Sequence, residues 1–359
     1  MSTAQIARKN WQAIRLAGGG VVTAVASRDL QRAKKFIAEC QAEAPFKHKP
    51  RAVGSYEELL KARDIDAVYI PLPTGLRKEW VLRAAAAGKH VLCEKPCAVN
   101  VADLKEMIGA CRRHNVQFMD GVMFMHSERL EKMRAVLDDG KTVGPIRRIT
   151  SAFHFNTTKE FYKDNIRADS RLEPMGTLGD QGWYCIRIAL WAMNWQLPER
   201  VTGRLLSCVI RPKGTPPVPT EFSGELFFRG GASSTFYCSF VTELAQWVNI
   251  SGARGKLSFN DFVLPLKGDK TFFETGSQDY QFVGCDARMV PSGRRWTIDE
   301  HSHSARDSQE TNMIRNFTKL AQSGRLNPFW PEVALKTQQV MDACWKSAQA
   351  NGRTMPVSL

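Results

Sequence analysis

Side chains able to do chemistry recur at a few spacings in this chain. Lys95 lies between Cys93 and Cys97, directly after the apolar run His90-Val91-Leu92-Cys93. Asp180 and Tyr184 stand four apart in Gly179-Asp180-Gln181-Gly182-Trp183-Tyr184, a spacing that puts them on one face of a helix. Lysine and tyrosine can hold or pass a proton at a substrate hydroxyl, and an aspartate beside them can bond a second one. Asp180 could equally be the N-cap of its own helix. Cys93 and Cys97 have a ligand-like offset and His301 and His303 are two apart, but no second pair with ligand spacing follows, so no metal site is expected.

A second set of residues suits an anion. Ser2-Thr3-Ala4-Gln5-Ile6-Ala7 has the spacing of G-x-G-x-x-G with a small residue, Ser2, Ala4 or Ala7, at each glycine position, ahead of an amphipathic stretch containing Ile6, Trp11, Ile14 and Leu16. Such a turn at a helix start can cradle a pyrophosphate on backbone N–H groups. About twenty residues on, where a dinucleotide fold contacts the adenosine ribose, the run Val21–Ala26 ends in Ser27 and Arg28. A hydroxyl plus a guanidinium there would bind a 2′-phosphate, whereas a carboxylate would bond the ribose hydroxyls. NADP is therefore expected over NAD, with Asp29 next door as the reservation and an ordinary solvated Arg28 as the bland alternative.

These residues need elements to position them. After Gly18-Gly19-Gly20 the chain alternates short β-branched runs with helical stretches: Val21–Ala26, a helix near 30–42, a helix 56–62, strand 66–70, helix 78–87, strand 90–93, helix 101–114 and strand 116–119. Alternation of this kind implies a parallel sheet covered on both faces. Beyond about residue 145 longer strands joined by turns are expected at 147–155, 201–210, 224–228, 232–240, 247–251 and 255–259, with a helix near 180–195 and a closing helical pair at 310–322 and 331–350. The loop 211–219 and the polar stretch 292–308 are expected to be exposed.

Composition narrows the class. The chain has 359 residues, 43% hydrophobic and 24% charged, which suits a packed two-domain protein and excludes a disordered one. Its +14 net charge is scattered, with no zinc-finger spacing and no aromatic RNA-binding signature, so nucleic acid is not expected as a partner. Nine unpaired-looking cysteines fit a reducing, cytoplasmic setting. No apolar run approaches the roughly 20 residues that cross a bilayer, so no membrane partner is expected. The acid-poor start is presequence-like in composition, but its helical spacing reads better as one amphipathic helix with a glycine stop.

Cys93-Glu94-Lys95-Pro96 is a familiar motif. Together with 24–29, Gly54-Ser55-Tyr56-Glu57-Glu58-Leu59-Leu60, Gly88-Lys89-His90-Val91-Leu92 and Gly176–Tyr184, it makes the chain resemble the Gfo/Idh/MocA oxidoreductases, in the branch of glucose-fructose oxidoreductase, NADP-dependent D-xylose dehydrogenase and dimeric dihydrodiol dehydrogenase. The resemblance implies a Rossmann domain over 1–122 and an α+β domain with a large, mostly antiparallel open sheet over 123–359. It also implies a homodimer or higher oligomer and a sugar or cyclic diol as substrate. Lys95, Tyr184 and Asp180 are the implied catalytic residues, with the Lys95 charge lowering the Tyr184 pKa toward the working range. Ser2, Ala4, Ile6, Ala7, Ser27, Arg28, Pro71, Leu72, Pro73, Thr74, Glu94 and Lys95 are the implied cofactor contacts, and Arg167, Asp180 and His126 the implied substrate contacts.

Two departures stand out. Family members open with a strand before the small-residue turn, and its absence here predicts an unfilled central position in the sheet. Either the true start lies upstream or the nucleotide site is altered, and the latter suits a non-catalytic nucleotide-binding or assembly protein. The second departure is Tyr184, where many members carry histidine.

Overall fold

A computed structural model describes residues 1–211 and 214–357. Helix Gln5–Ala17 forms on the 3.6-residue apolar spacing read above and stops where Gly18 and Gly19 take φ of 70° and 75°. Strands Ala24–Ala26 and Arg51–Val53 pair in parallel, and strands Ala67–Ile70, His90–Cys93 and Phe118–Asp120 form a second parallel set in that order. Between them run helices Leu30–Glu43, Tyr56–Lys61, Thr74–Ala86 and Val101–Arg113. Three of the four start on a side-chain cap, Asp29, Ser55 or Asn100; each is worth about 1 kcal/mol. The fourth starts after Pro73, which offers none.

The two parallel sets do not pair with each other. A cavity of about 140 Å³ lies between them, lined by Ala7, Trp11 and Ile14 of the first helix and by backbone and side chains of 21–25 and 67–69. The Met1 amine reaches the end of this slot and donates to the Tyr69 carbonyl at 2.9 Å. The expected gap at the sheet centre is thus present. The run expected as a strand from Val21 is strand only over Ala24–Ala26, although the Thr23 carbonyl still accepts from the Arg51 amide at 3.0 Å.

The second half is a nine-stranded mixed sheet, in the order 286–298, 271–283, 256–259, 245–252, 146–154, 233–239, 218–227, 200–209, 355–356. Every pair assigned is antiparallel except the central 146–154 with 233–239. Helices Trp183–Ala192 and Phe329–Gln349 pack against it, and one buried core runs from these into the parallel strands.

Two expectations are corrected here. The polar stretch 292–308 is exposed only in part: 292–295 stay exposed within a long ribbon, Thr271–Val283 with Asp286–Ile298, whereas Glu300, Ser302 and Ser308 are buried. Glu300 is drawn inside because it accepts bonds from Ser127 Oγ, the Glu128 amide and Thr271 Oγ1. The loop expected at 211–219 gives way to strand at Val218, and its residues 212 and 213 lie outside the described residues.

Candidate active site

Strand His90–Cys93 ends by presenting Glu94 and Lys95. Opposite them, Leu178–Gly182 forms a five-residue π-helical turn that runs into helix Trp183–Ala192. The two segments meet at Asp180. Lys95 Nζ donates to the Asp180 carbonyl and to its Oδ1, both at 2.6 Å, and Arg167 Nε donates to Oδ2 at 2.8 Å. The Lys95 ammonium also lies 4.4 Å from the centre of the Tyr184 ring. Phe124 and Phe153 wall the other sides of that ring at 6.0 and 5.7 Å. Lys95, eighty-five positions before Asp180, is thus brought into one cluster with Arg167, Asp180 and Tyr184.

Its electrostatics follow from burial against charge. Burial works against the Lys95 cation, but Asp180 and the Tyr184 phenol outweigh it and hold its pKa above the ordinary lysine value. Burial likewise raises Asp180, yet Arg167 and Lys95 more than offset it and keep this carboxyl well below the usual range. For Tyr184 the sum goes the other way. Burial raises its pKa, Lys95 lowers it, and Glu94 and Asp180 raise it again, leaving a phenol above its ordinary value. The expectation that Lys95 would bring Tyr184 toward neutrality is corrected: loss of water and two carboxylates outweigh one ammonium. Asp180 does not cap its own helix either, since both its oxygens are held by cations.

The other expected residues fall in two groups. Ala4 precedes helix Gln5–Ala17 with no side-chain cap on that helix, and Ser2 Oγ accepts from the Ala4 amide at 3.0 Å. Ala7 lines the slot at the sheet centre, and Ile6 packs into a neighbouring apolar cluster. Ser27 is buried and Arg28 exposed at the strand tip, while Asp29 accepts from the Gln31 and Arg32 amides and so caps helix Leu30–Glu43. Glu94 accepts from the Tyr69 hydroxyl at 2.5 Å. The loop Pro71-Leu72-Pro73-Thr74 follows strand Ala67–Ile70, but Thr74 already gives its amide and hydroxyl to Glu173.

His126 belongs elsewhere. It stacks on Trp330 at 4.5 Å and lines a separate cavity of about 760 Å³ with Trp195, Asn312, Arg315 and Phe329. The turn Met123–His126 aims its ring at helix Phe329–Gln349 rather than at Asp180. Burial lowers its pKa to about 3, with Arg187 adding to the effect. The sequence reading missed Tyr69 as the partner of Glu94, Arg77, which donates to the carbonyls of Leu72 and Pro96, and Glu173. Only Tyr69 carried a signal, as a polar tip within an otherwise apolar strand.

Comparison with known proteins adds to this geometry. A model described as an oxidoreductase family with an NAD-binding Rossmann fold matches residues 3–122, and one for the GFO/IDH/MocA C-terminal domain matches 130–258. Over 241 residues the chain is 35% identical to trans-1,2-dihydrobenzene-1,2-diol dehydrogenase of Bos taurus, covering 67% of this chain and 66% of that one, about two thirds of the relative's length. An uncharacterized oxidoreductase of Rhizobium meliloti is 30% identical over 335 residues, 93% of this chain and 90% of that one. Among solved structures, a 3-ketoreductase from Actinomadura kijaniata in complex with NADP and TDP-benzene aligns with a TM-score of 0.76 at 25% identity, covering 96% of this chain and 95% of that one.

Proposed function

Since this chain belongs to the Gfo/Idh/MocA oxidoreductase family, we propose that it is an NADP-dependent oxidoreductase moving hydride between a nicotinamide and a CH–OH carbon of a sugar or cyclic diol. The observation that carries this reading is the ammonium of Lys95 set over the Tyr184 ring and fixed by Asp180. Support for the substrate class comes from the names of the bovine and Actinomadura proteins.

The residues present suit the cofactor. The uncapped start of helix Gln5–Ala17, preceded by Ser2 and Ala4, leaves N–H groups for a pyrophosphate. Ser27 and the exposed Arg28 suit a 2′-phosphate, and the carboxylate that would have argued for NAD, Asp29, is engaged as a helix cap. The 71–74 loop, Glu94 and Lys95 would border the rest. When bound, the nicotinamide supplies or takes the hydride; the chain handles the proton. At neutral pH the Tyr184 phenol is protonated, so in reduction it gives its proton to the new alkoxide oxygen while Lys95 holds that oxygen and steadies the phenolate. Asp180, doubly bonded to cations, keeps its charge and fixes Lys95 and Arg167, so Lys95 orients rather than exchanges the proton. Oxidation runs the same transfer backwards and needs the phenolate first, so it should quicken as the pH rises into the alkaline range.

A second reading, a non-catalytic nucleotide-binding or assembly protein, is favoured by one observation, that strands Ala24–Ala26 and Ala67–Ile70 face each other without pairing. Fluorescence titration with NADPH separates the two. Binding together with NADPH-linked turnover of aldoses or dihydrodiols supports the enzyme; binding without turnover, or neither, supports the alternative. A homo-oligomer is also proposed: the ribbon beyond Gly276 exposes Tyr280, Phe282 and Met289, and a second copy would cover them. Sedimentation of the wild type against a Tyr280→Ser/Phe282→Ser variant tests it. No helix among the described residues is long and apolar enough to cross a membrane.

A further inference from the structure

We infer that Glu173 is a positioning residue that presets the 71–74 loop for the cofactor from across the molecule, an inference that rests on the nicotinamide reading above. Helix Thr74–Ala86 begins after Pro73, which offers no capping side chain, so its first N–H groups must find acceptors elsewhere. The segment 172–173 provides them. The Glu173 carboxylate accepts from the Thr74 amide at 3.0 Å and the Thr74 hydroxyl at 2.6 Å, and the Leu172 carbonyl accepts from the Gly75 amide at 2.9 Å. The approach is so close that a Cβ on Gly75 would lie 2.2 Å from the Arg171 carbonyl oxygen, which is why glycine stands there.

The loop is tied on its other side as well. Arg77 donates Nε to the Leu72 carbonyl at 2.7 Å and a second nitrogen to the carbonyl of Pro96, the neighbour of Lys95. One end of the 71–74 loop is thus pinned to the lysine segment and the other to the strap that leads, a few residues on, into the turn carrying Asp180. A carboxylate at a helix N-terminus is held by the N–H groups and by the helix dipole. Here it occupies the place where a ligand anion would otherwise dock. The protein's own acid therefore orders this loop before any cofactor arrives, and binding is spared that ordering cost. The Glu173 charge also helps, after Asp180, to raise the Arg167 pKa.

The test compares wild type with Glu173→Gln, which keeps one acceptor but no charge, and Glu173→Ala, which keeps neither. Amide hydrogen exchange at Thr74 and Gly75 should quicken about tenfold in the alanine variant and less in the glutamine one. The NADPH dissociation constant should rise in the same order, by about tenfold for alanine, while kcat at saturating NADPH changes less than twofold. Gly75→Ala, which pushes the strap away with Glu173 intact, should reproduce the weaker NADPH binding. Unchanged exchange in Glu173→Ala overturns the cap, and faster exchange with unchanged NADPH binding overturns the positioning role. A parallel fall in kcat, binding and melting temperature also overturns it, as that marks general loosening. If the wild type itself binds no NADPH, the failure lies with the nicotinamide reading, and the exchange arm still decides whether Glu173 holds the helix.

Discussion

Two buried carboxylates in this molecule meet cations in opposite ways. Asp120, at the end of strand Phe118–Asp120, pairs with Arg187 with neither side chain exposed, and Arg187 Nε reaches Thr337 of the last long helix at 2.7 Å. One oxygen of Asp120 and one nitrogen of Arg187 have no hydrogen-bond partner among the described residues. Asp180 instead has both oxygens bonded, to two cations, with 16% of its side chain exposed. The dry pair ties the parallel strands to the helices of the second half. The wetter trio holds its charges beside the Tyr184 ring, the proton donor proposed above. Both are ion pairs, and only their access to water and their count of partners set structure apart from chemistry.

The comparison can be broken first at the dry pair. Arg187→Met leaves Asp120 charged and alone, which should cost about 3–5 kcal/mol in urea unfolding, while Arg187→Met with Asp120→Leu should recover much of it. At the trio the effect should move from stability to rate. Tyr184→Phe should lose about 10²–10⁴-fold in NADPH-linked turnover with melting temperature and NADPH binding nearly unchanged. A surviving rate would assign the proton transfer to Lys95 or water.

Acid sharpens the contrast further. Asp180 has its folded pKa depressed below the 3.8 of the free group, so its contribution to stability is complete above about pH 4 and is lost as the pH falls below that. His126 has its folded pKa depressed from 6.5 to about 3, so the unfolded chain binds the extra proton and stability is lost as the pH falls through that whole window. Asp180→Asn should flatten the stability profile only below pH 4, and His126→Phe should flatten it from about pH 6.5 downward, read by unfolding at a series of pH values. The smallest effect is expected at Arg167, which is partly exposed: Arg167→Met should cost about fivefold in kcat/KM, since an exposed pair contributes about 1 kcal/mol and Lys95 still holds Asp180.

What could be read from the sequence follows the range of the forces involved. Strands Ala67–Ile70 and His90–Cys93 and helix Val101–Arg113 were legible because apolar periodicity is local. Lys95, Asp180, Tyr184 and Arg167 were legible as a group through motif resemblance, and the structure brings them together. The ribbon 271–298 was not. Its outer half stays in solvent, so no burial imposes alternation, and Gly276, Pro291 and Gly293 interrupt its β-forming residues. Glu173 on Thr74 was equally hidden, because nothing near residue 173 marks a helix start ninety-nine positions earlier. The raised phenol of Tyr184 was missed for a third reason: a motif names neighbours but not how much water they have lost.

The π-helical turn at Leu178–Gly182 has a consequence for how this centre tolerates change. Five-residue winding holds one more residue per loop of backbone than the helix it feeds, and within it the Asp180 carbonyl accepts from the Lys95 side chain. Trimming a single position there would restore ordinary winding, swing the carboxylate about 100° around the axis and turn the carbonyl back toward its own chain. Tyr184 and everything after it would stay in register with the sheet. An edit in length at this turn is thus a second route, beside the Tyr184 substitution, to silencing the centre while sparing the scaffold.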